Sequence, residues 1–233
     1  CVLLLYTLLT LTPIIQFDET SNFIRTIIDY YQKNPKEKIP LPKEYSLLKK
    51  NLSEEKKTIN KPDIFLIIIE SLNNGVINRK VNNQELTPFL NNLIKKAVTV
   101  DQFYANSVQT CKGHFSILFS LLPFHKGKAY KNAASTHYQS IAKVLKENQY
   151  TTLFFNGHHK LHFDNTKNIL SKNGFQHIIP SNDLTNYKTK GTWGLNDKLL
   201  YTQVIKWLEK NNFTQKKESP LLITITPSSH HTP

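Results

Sequence analysis

From Pro62 onward, apolar runs with two different periods alternate along the chain. Residues 63–69 (DIFLIII) are almost unbroken and β-branched, the pattern of a strand buried on both faces of a parallel sheet. Thr87-Pro88 offers a helix cap with proline at the first helical position, and Phe89, Leu90, Leu93, Ile94 and Ala97 then fall on one apolar face. Residues 98–104 read as another strand, and 113–122 as a buried helix stopped by Pro123. Beyond these the pattern predicts a helix at 140–148, a strand at 151–155 and a helix at 165–173 closing on Gly174. A short strand at 175–179, a helix at 196–210 and a strand at 221–226 follow. This alternation predicts an α/β domain with a largely parallel sheet and flanking helices.

The first 60 residues behave differently. Residues 1–17 (CVLLLYTLLTLTPIIQF) are uncharged and mostly apolar, and as a helix they would span about 25 Å. They are read as the end of a transmembrane helix whose first turns lie upstream, with a signal-peptide core and a buried helix as rivals. No small-residue cleavage site and no charged leader accompany them. Residues 18–61 are amphipathic, then lysine-rich, with Pro35, Pro40 and Pro42 clustered; they read as a juxtamembrane helix and linker. The α/β domain is assigned to residues 62–233. The lysines just after the apolar stretch would place that domain in the cytoplasm on a literal positive-inside reading, a rule that weakens for long translocated domains.

Composition narrows the picture further. Of 233 residues, 39% are hydrophobic and 20% charged, so the chain can bury a substantial core. Only 7 glycines and 11 prolines are present, which excludes collagen-like and low-complexity classes. The cysteines, Cys1 and Cys111, exclude a disulfide framework and a cysteine zinc site. A formal net charge of +13 points to an anionic partner: nucleic acid, an anionic lipid surface or a phosphorylated substrate. No nucleic acid is expected, because aromatic residues interleaved with arginine and recognised binding motifs are both missing. The absence of methionine and the start at Cys1 are read as marks of a fragment.

In open parallel sheets ligands gather beyond the carboxyl ends of the strands. Polar clusters follow three of the predicted strands: Glu70-Ser71, Asn156-Gly157-His158-His159 and Ser228-Ser229-His230-His231. A carboxylate closing an apolar run suits a hard metal ion, or else it caps a helix or pairs with a lysine. Thr110-Cys111-Lys112-Gly113 opens an apolar helix, so the Thr110 hydroxyl sits where the helix dipole favours phosphoryl oxygens. A bound metal there would lower the hydroxyl pKa and make it a nucleophile. The alternative is a plain helix cap. Cys111 is read either as a second nucleophile or as a buried inert thiol.

These residues resemble the sulfatase and alkaline-phosphatase superfamily, specifically its membrane-bound branch of lipoteichoic acid synthases and phosphoglycerol transferases. The resemblance runs from residue 62 to 233 through PDIFLIIIES, LTPFLNNL, FYANSVQTCKGHFSIL, FFNGHHKLHFDN, KNGFQHII, GTWGLNDKLL and ITPSSHHTP, in the family's order. It implies an alkaline-phosphatase-like fold. It also implies that Glu70 and Thr110 ligate one or more divalent metal ions (Mn, Zn or Mg), with Thr110 the nucleophile that forms a phospho-threonine. Substrate binding then falls to Lys112, His158, Asp164, Asn165, Trp193 and His231, the last at the position of the family's Asn-His-x-Pro histidine.

The implied activity is a membrane-anchored phosphoglycerol or related phospho-group transferase, or a phosphodiester hydrolase. Its implied partners are the lipid bilayer, an anionic glycerophospholipid donor and a glycan or polymer acceptor, with the domain on the outer or periplasmic side of the cell membrane. Gln109 and Lys112 depart from the family's basic residues, and residues 156–158 lack its expected acid. Cys111-Lys112-Gly113-His114-Phe115 is not the Cys-x-Pro-Ser-Arg of formylglycine sulfatases, which disfavours sulfuric ester hydrolysis. The family's metal-completing Asp-His pair lies beyond its His-x-Pro element. Residues 1–233 are therefore expected to lack the last strands and to be inactive alone, with a longer parent active. A non-catalytic membrane-tethered domain binding anionic lipid or glycan is the reading from a different class.

Overall fold

The first strong apolar run becomes β1 (Ile64–Ile67) in a computed structural model that describes residues 60–123, 126–133, 136–159, 163–184, 193–214 and 219–231. The anchor read at residues 1–17 lies outside the described residues, as does the linker apart from Asn60 and Lys61. No helix among the described residues is long and apolar enough to cross a membrane.

After a 3-10 turn (Asn74–Val76) comes a hairpin of β2 (Lys80–Val81) and β3 (Gln84–Glu85), which the hydrophobic pattern did not predict. Asn82 and Asn83 form its turn with φ of 50° and 63°, a backbone that asparagine adopts more readily than most residues. Helix α1 (Pro88–Ile94) starts behind Thr87 as expected, but the Thr87 hydroxyl donates to Val76 O and Asn91 Oδ1 instead of capping. The expected apolar face of α1 is not core. Phe89 is 76% exposed, and Asn91 is the buried residue; it accepts from Asn78 N and donates to Glu85 Oε2. Polar contacts to the hairpin thus hold this helix. Residues 98–104 form no strand, and Val98, Val100, Phe103 and Tyr104 are exposed. An apolar run becomes a strand only where a partner edge accepts its backbone groups, and among the described residues no such edge meets this segment.

The next helix, α2 (Thr110–Phe119), begins three residues earlier than read, with Gln109 as its cap residue, and ends on Ser120 at φ 51°. Then come α3 (Ala129–Asn132), α4 (Ile141–Glu147), β4 (Thr151–Asn156), a second 3-10 turn (Phe163–Asn165), α5 (Thr166–Lys172) and β5 (His177–Pro180). The chain continues through α6 (Ser181–Leu184) and α7 (Asp197–Lys210) to β6 (Leu221–Thr226). The caps explain two of the starts: Ser140 Oγ accepts from Lys143 N, and Asn196 Oδ1 from Leu199 N. The short α3 and α6 carry no period long enough to be read from sequence.

Four strands form one parallel sheet in the order β1-β6-β4-β5. Strand alternation sends Phe154 and Leu222 to one face, where they pack with Phe115, Leu118 and Phe119 of α2 and with residues of α3, α4 and α5. Leu153, Phe155, Leu221, Ile223 and Ile225 face the other way, under Leu200, Val204 and Leu208 of α7. Each such side chain contributes roughly 1.5–3 kcal/mol by leaving water. All of β6 is buried. At the edge of the described sheet, β1 differs from its expected two-sided burial: Ile64 and Leu66 pack against the α2 face, while Phe65 is 60% and Ile67 47% exposed.

One side chain ties two helices together. The buried Ser140 hydroxyl accepts from Lys143 N at 2.9 Å and donates to Asn173 O. Ser140→Ala removes the cap of α4 and strands that carbonyl, so a loss of about 2 kcal/mol is expected. A lower urea midpoint with an unchanged m-value is the check.

Candidate active site

Because the four strands run parallel, their carboxyl ends share one rim, and the segments leaving β1, β4 and β6 meet there with the first turn of α2. A cavity of about 90 Å³ opens between them, lined by Glu70, Thr110, Asn156, His158, Ser228 and His231, and further by Cys111, His114, Tyr130, Asp164 and Trp193. Taking ~30 Å³ per water, that is room for about three waters, or for one phosphoryl-sized group.

At its mouth Thr110 Oγ1 donates to Glu70 Oε2 at 2.9 Å, and Ser71 Oγ donates to Glu70 Oε1 at 3.2 Å. Thr110 is the first residue of the ten-residue α2, so its hydroxyl stands at the positive end of the helix dipole. Carboxylate and hydroxyl are hard oxygen donors, the chemistry that Mg²⁺ and Mn²⁺ select. They therefore fit a divalent cation in kind and would supply part of a ligand set. Among the described residues no group of three His, Cys, Asp or Glu side chains could hold a metal ion.

The far wall is aromatic. The His158 ring stacks on His159 at 4.9 Å and lies 5.7 Å from Trp193, whose ring is 4.2 Å from His231. The backbone sets these rings in place. His158 bridges Gly194 in antiparallel fashion, Leu195 N donates to Gly157 O, and Gly157 N donates to Thr226 O. Both glycines are needed here for close approach: a Cβ on Gly194 would sit 1.9 Å from Gly157 O, and one on Gly157 would sit 2.9 Å from Thr226 O. Asn156 Oδ1 accepts from His158 N and Thr226 Oγ1, joining the β4 and β6 exits.

Of the residues singled out from the sequence, Glu70, Thr110, His158, Asp164, Trp193 and His231 line this cavity, and Lys112 and Asn165 do not. Lys112 is buried on another face of α2. The Asn165 amide donates to Tyr130 O at 3.3 Å. His114, Tyr130, Asn156 and Ser228 join the cavity without having been assigned a role. The His114 signal was available: four residues after Thr110 on a helix means the same face. Tyr130, in a four-residue helix, carried none.

Burial lowers the His114 pKa from 6.5 to about 4, against the opposing pull of the Glu70 charge, and the ring is neutral at pH 7. Between those two values the unfolded chain binds one proton more than the folded chain. The stability this ring contributes is therefore complete above pH 6.5 and is lost as pH falls toward 4, with a slope approaching ~1.4 kcal/mol per pH unit. Urea unfolding from about pH 7 to about pH 4.5 should show this slope, and His114→Gln should flatten it. An equal slope in the variant would assign the effect to another group.

A family model described as Sulfatase matches residues 62–233. The lipoteichoic acid synthase-like YvgJ of Bacillus subtilis (strain 168) is 32% identical over 152 residues, covering 63% of this chain and 24% of that protein. Lipoteichoic acid synthase of Staphylococcus aureus (strain USA300) is 30% identical over 179 residues, 71% of this chain and 26% of that one. The chain thus spans about a quarter of the length of these relatives. Among solved structures, the lipoteichoic acid synthase LtaP from Listeria monocytogenes superposes with a TM-score of 0.65 at 20% identity, over 74% of this chain and 42% of that one. A protein in the alkaline phosphatase superfamily from Vibrio parahaemolyticus gives a TM-score of 0.62 at 27% identity, over 74% and 41%. The fold described above is the alkaline-phosphatase-like α/β fold.

Proposed function

The chain belongs to the sulfatase family, and on that premise we propose that it supplies the nucleophile-bearing part of a phosphoglycerol transferase, or of a phosphodiester hydrolase, working at a membrane surface. The observation that carries this reading is the Thr110 hydroxyl held by Glu70 at the positive end of α2, facing a cavity of phosphoryl size in a strongly basic chain. The curated relatives are named as lipoteichoic acid synthases, which supports a glycerophospholipid as donor and a glycan or growing polymer as acceptor.

The reaction is a double displacement. Thr110 Oγ attacks the phosphorus of the lipid phosphodiester, the bond from phosphorus to the diacylglycerol oxygen breaks, and that oxygen takes up a proton. An acceptor hydroxyl, or water, then attacks the phospho-threonine and restores the Thr110 hydroxyl. Glu70 holds the Thr110 hydroxyl hydrogen at Oε2 and so keeps the oxygen aimed into the cavity. A divalent ion held by Glu70 and Thr110 would supply Lewis-acid charge to the phosphoryl oxygens and a lowered hydroxyl pKa. His158, Trp193 and His231 wall the headgroup, Asp164 borders it, and Lys112, two residues along α2 on another face, adds to the positive field. Residues 1–17 tether the domain, which acts on the outer side of the membrane.

The test uses phosphatidylglycerol labelled in its headgroup phosphate, a divalent ion, and these residues within a sulfatase domain as long as those of the relatives. Label retained on denatured protein, with diacylglycerol released, is the expected result. Its absence overturns the transfer reading. A second reading, binding of anionic lipid without turnover, is favoured by the formal net charge of +13; reversible retention of the lipid with no covalent label would establish it.

A further inference from the structure

The inner wall of the cavity carries a hydroxyl that this reaction scheme does not use. Tyr130, in α3, is 1% exposed, and its Oη meets no hydrogen-bond partner among the described residues. Its ring belongs to the core with Cys111, Phe115 and Phe154, yet the residue also lines the cavity beside Glu70 and Thr110. Burial raises its pKa, so the phenol keeps its proton and can donate. An unmet buried hydroxyl is unfavourable, and an oxygen entering the cavity relieves it.

The residue is also held at two points. The Asn165 side-chain amide donates to the Tyr130 carbonyl at 3.3 Å. Two residues before Tyr130, Lys128 Nζ lies 2.7 Å from Asp164 Oδ1, a charge contact rather than an aligned hydrogen bond. Both partners come from the 3-10 turn after β4, where Asp164 and Asn165 have φ of 54° and 65°. Two successive left-handed residues are uncommon, and Asp and Asn are among the side chains that tolerate them. The turn therefore aims its two polar side chains at the segment that presents Tyr130.

We propose that Tyr130 is a ligand-contacting residue whose Oη donates to an oxygen of the glycerophosphate group bound beside Thr110. Lys128, Asp164 and Asn165 are the positioning residues that hold it there. This rests on the reading of the cavity as the phosphoglycerol site and adds the donor that recognises an oxygen at its inner end.

The test is calorimetric titration of the protein with sn-glycerol 3-phosphate and, separately, with inorganic phosphate. Melting curves of the ligand-free forms accompany it. Tyr130→Phe should weaken glycerol phosphate binding by about tenfold. Its ligand-free melting temperature should stay the same or rise, because the substitution deletes a polar atom that had no partner. Weakening of both probes places the contact on a phosphoryl oxygen, and weakening of glycerol phosphate alone places it on a glycerol oxygen. Lys128→Met should lose part of the affinity and some stability, since it leaves the buried Asp164 carboxylate without that cation, and Lys128→Arg should restore both. Equal affinities in wild type and Tyr130→Phe overturn the inference, as does a failure of wild type to bind either probe. Equal affinities alongside a normal covalent label would leave the Thr110 reading standing. Tyr130-dependent binding with no covalent label would do the reverse.

Discussion

Thr110→Ala is expected to eliminate the covalent phospho-protein and to lower turnover on the order of a thousandfold or more. The reason is geometric. The Thr110 hydroxyl is held by Glu70 Oε2 at the cavity mouth, and the nearest alternatives are poorly placed to replace it. Ser71 is already spent on the other Glu70 oxygen, and Cys111 is a buried thiol. Thr110→Ser keeps the oxygen and should retain activity within about tenfold, since the missing methyl changes packing more than chemistry. Thr110 is exposed, so neither substitution should change stability by more than about 0.5 kcal/mol. Headgroup-phosphate label counted on denatured protein, beside a thermal melt, separates loss of the nucleophile from loss of the fold. A label that persists in Thr110→Ala would transfer the role to Ser71, Ser228 or Cys111.

Like an alanine at Gly174, whose Cβ would meet the Lys143 backbone at 2.4 Å, Gly194→Ala should be strongly damaging. The added Cβ would lie 1.9 Å from Gly157 O and 3.0 Å from the His158 Cα. Both contacts are to backbone, which has no rotamer through which to yield. The two segments must separate, at about 3 kcal/mol, or roughly 6–12 °C in melting temperature for a chain of this size. Separation also moves Trp193 and His158, the aromatic wall, so glycerol phosphate affinity should fall with stability. Gly113→Ala is the matched control. A Cβ there meets nothing within 4 Å, and the substitution should stabilise α2 by about 0.5–1 kcal/mol. Equal melting of Gly194→Ala and wild type would show that the bridge between these segments is not formed in solution.

How much of this was legible depends on how local the signal was. β6 matches the span read for it, 221–226, because a β-branched run bounded by proline and serine has few other solutions. The starts of α4 and α7 follow from Ser140 and Asn196, whose caps are made within three residues. The polar clusters after β1, β4 and β6 share a rim because a parallel sheet leaves them no other place. The misreadings are long-range. DIFLIII states that β1 is apolar and not that it is an edge strand, so Phe65 and Ile67 were assigned a cover that the described residues do not provide. The apolar positions of α1 are similar: the helix forms, but Asn91 and its polar partners hold it and Phe89 points outward. Tyr130 was invisible for the same reason, since its contacts come from residues about 35 positions away.

The place of β6 in the sheet governs how the domain is made. It is the last strand of the described chain, yet it stands between β1 and β4, and Leu221 N reaches back 158 residues to Asp63. β4 and β5 can pair as soon as both have left the ribosome, joined by a single helix and a few residues. β1 waits for β6, 158 residues later in the chain, before its backbone groups find a partner strand. Sheets that close through such distant pairs form slowly and expose sticky intermediates. A nascent chain halted between residues 181 and 220 would carry the β4–β5 pair and an unpaired β1, each with a bare edge that only β6 can cover.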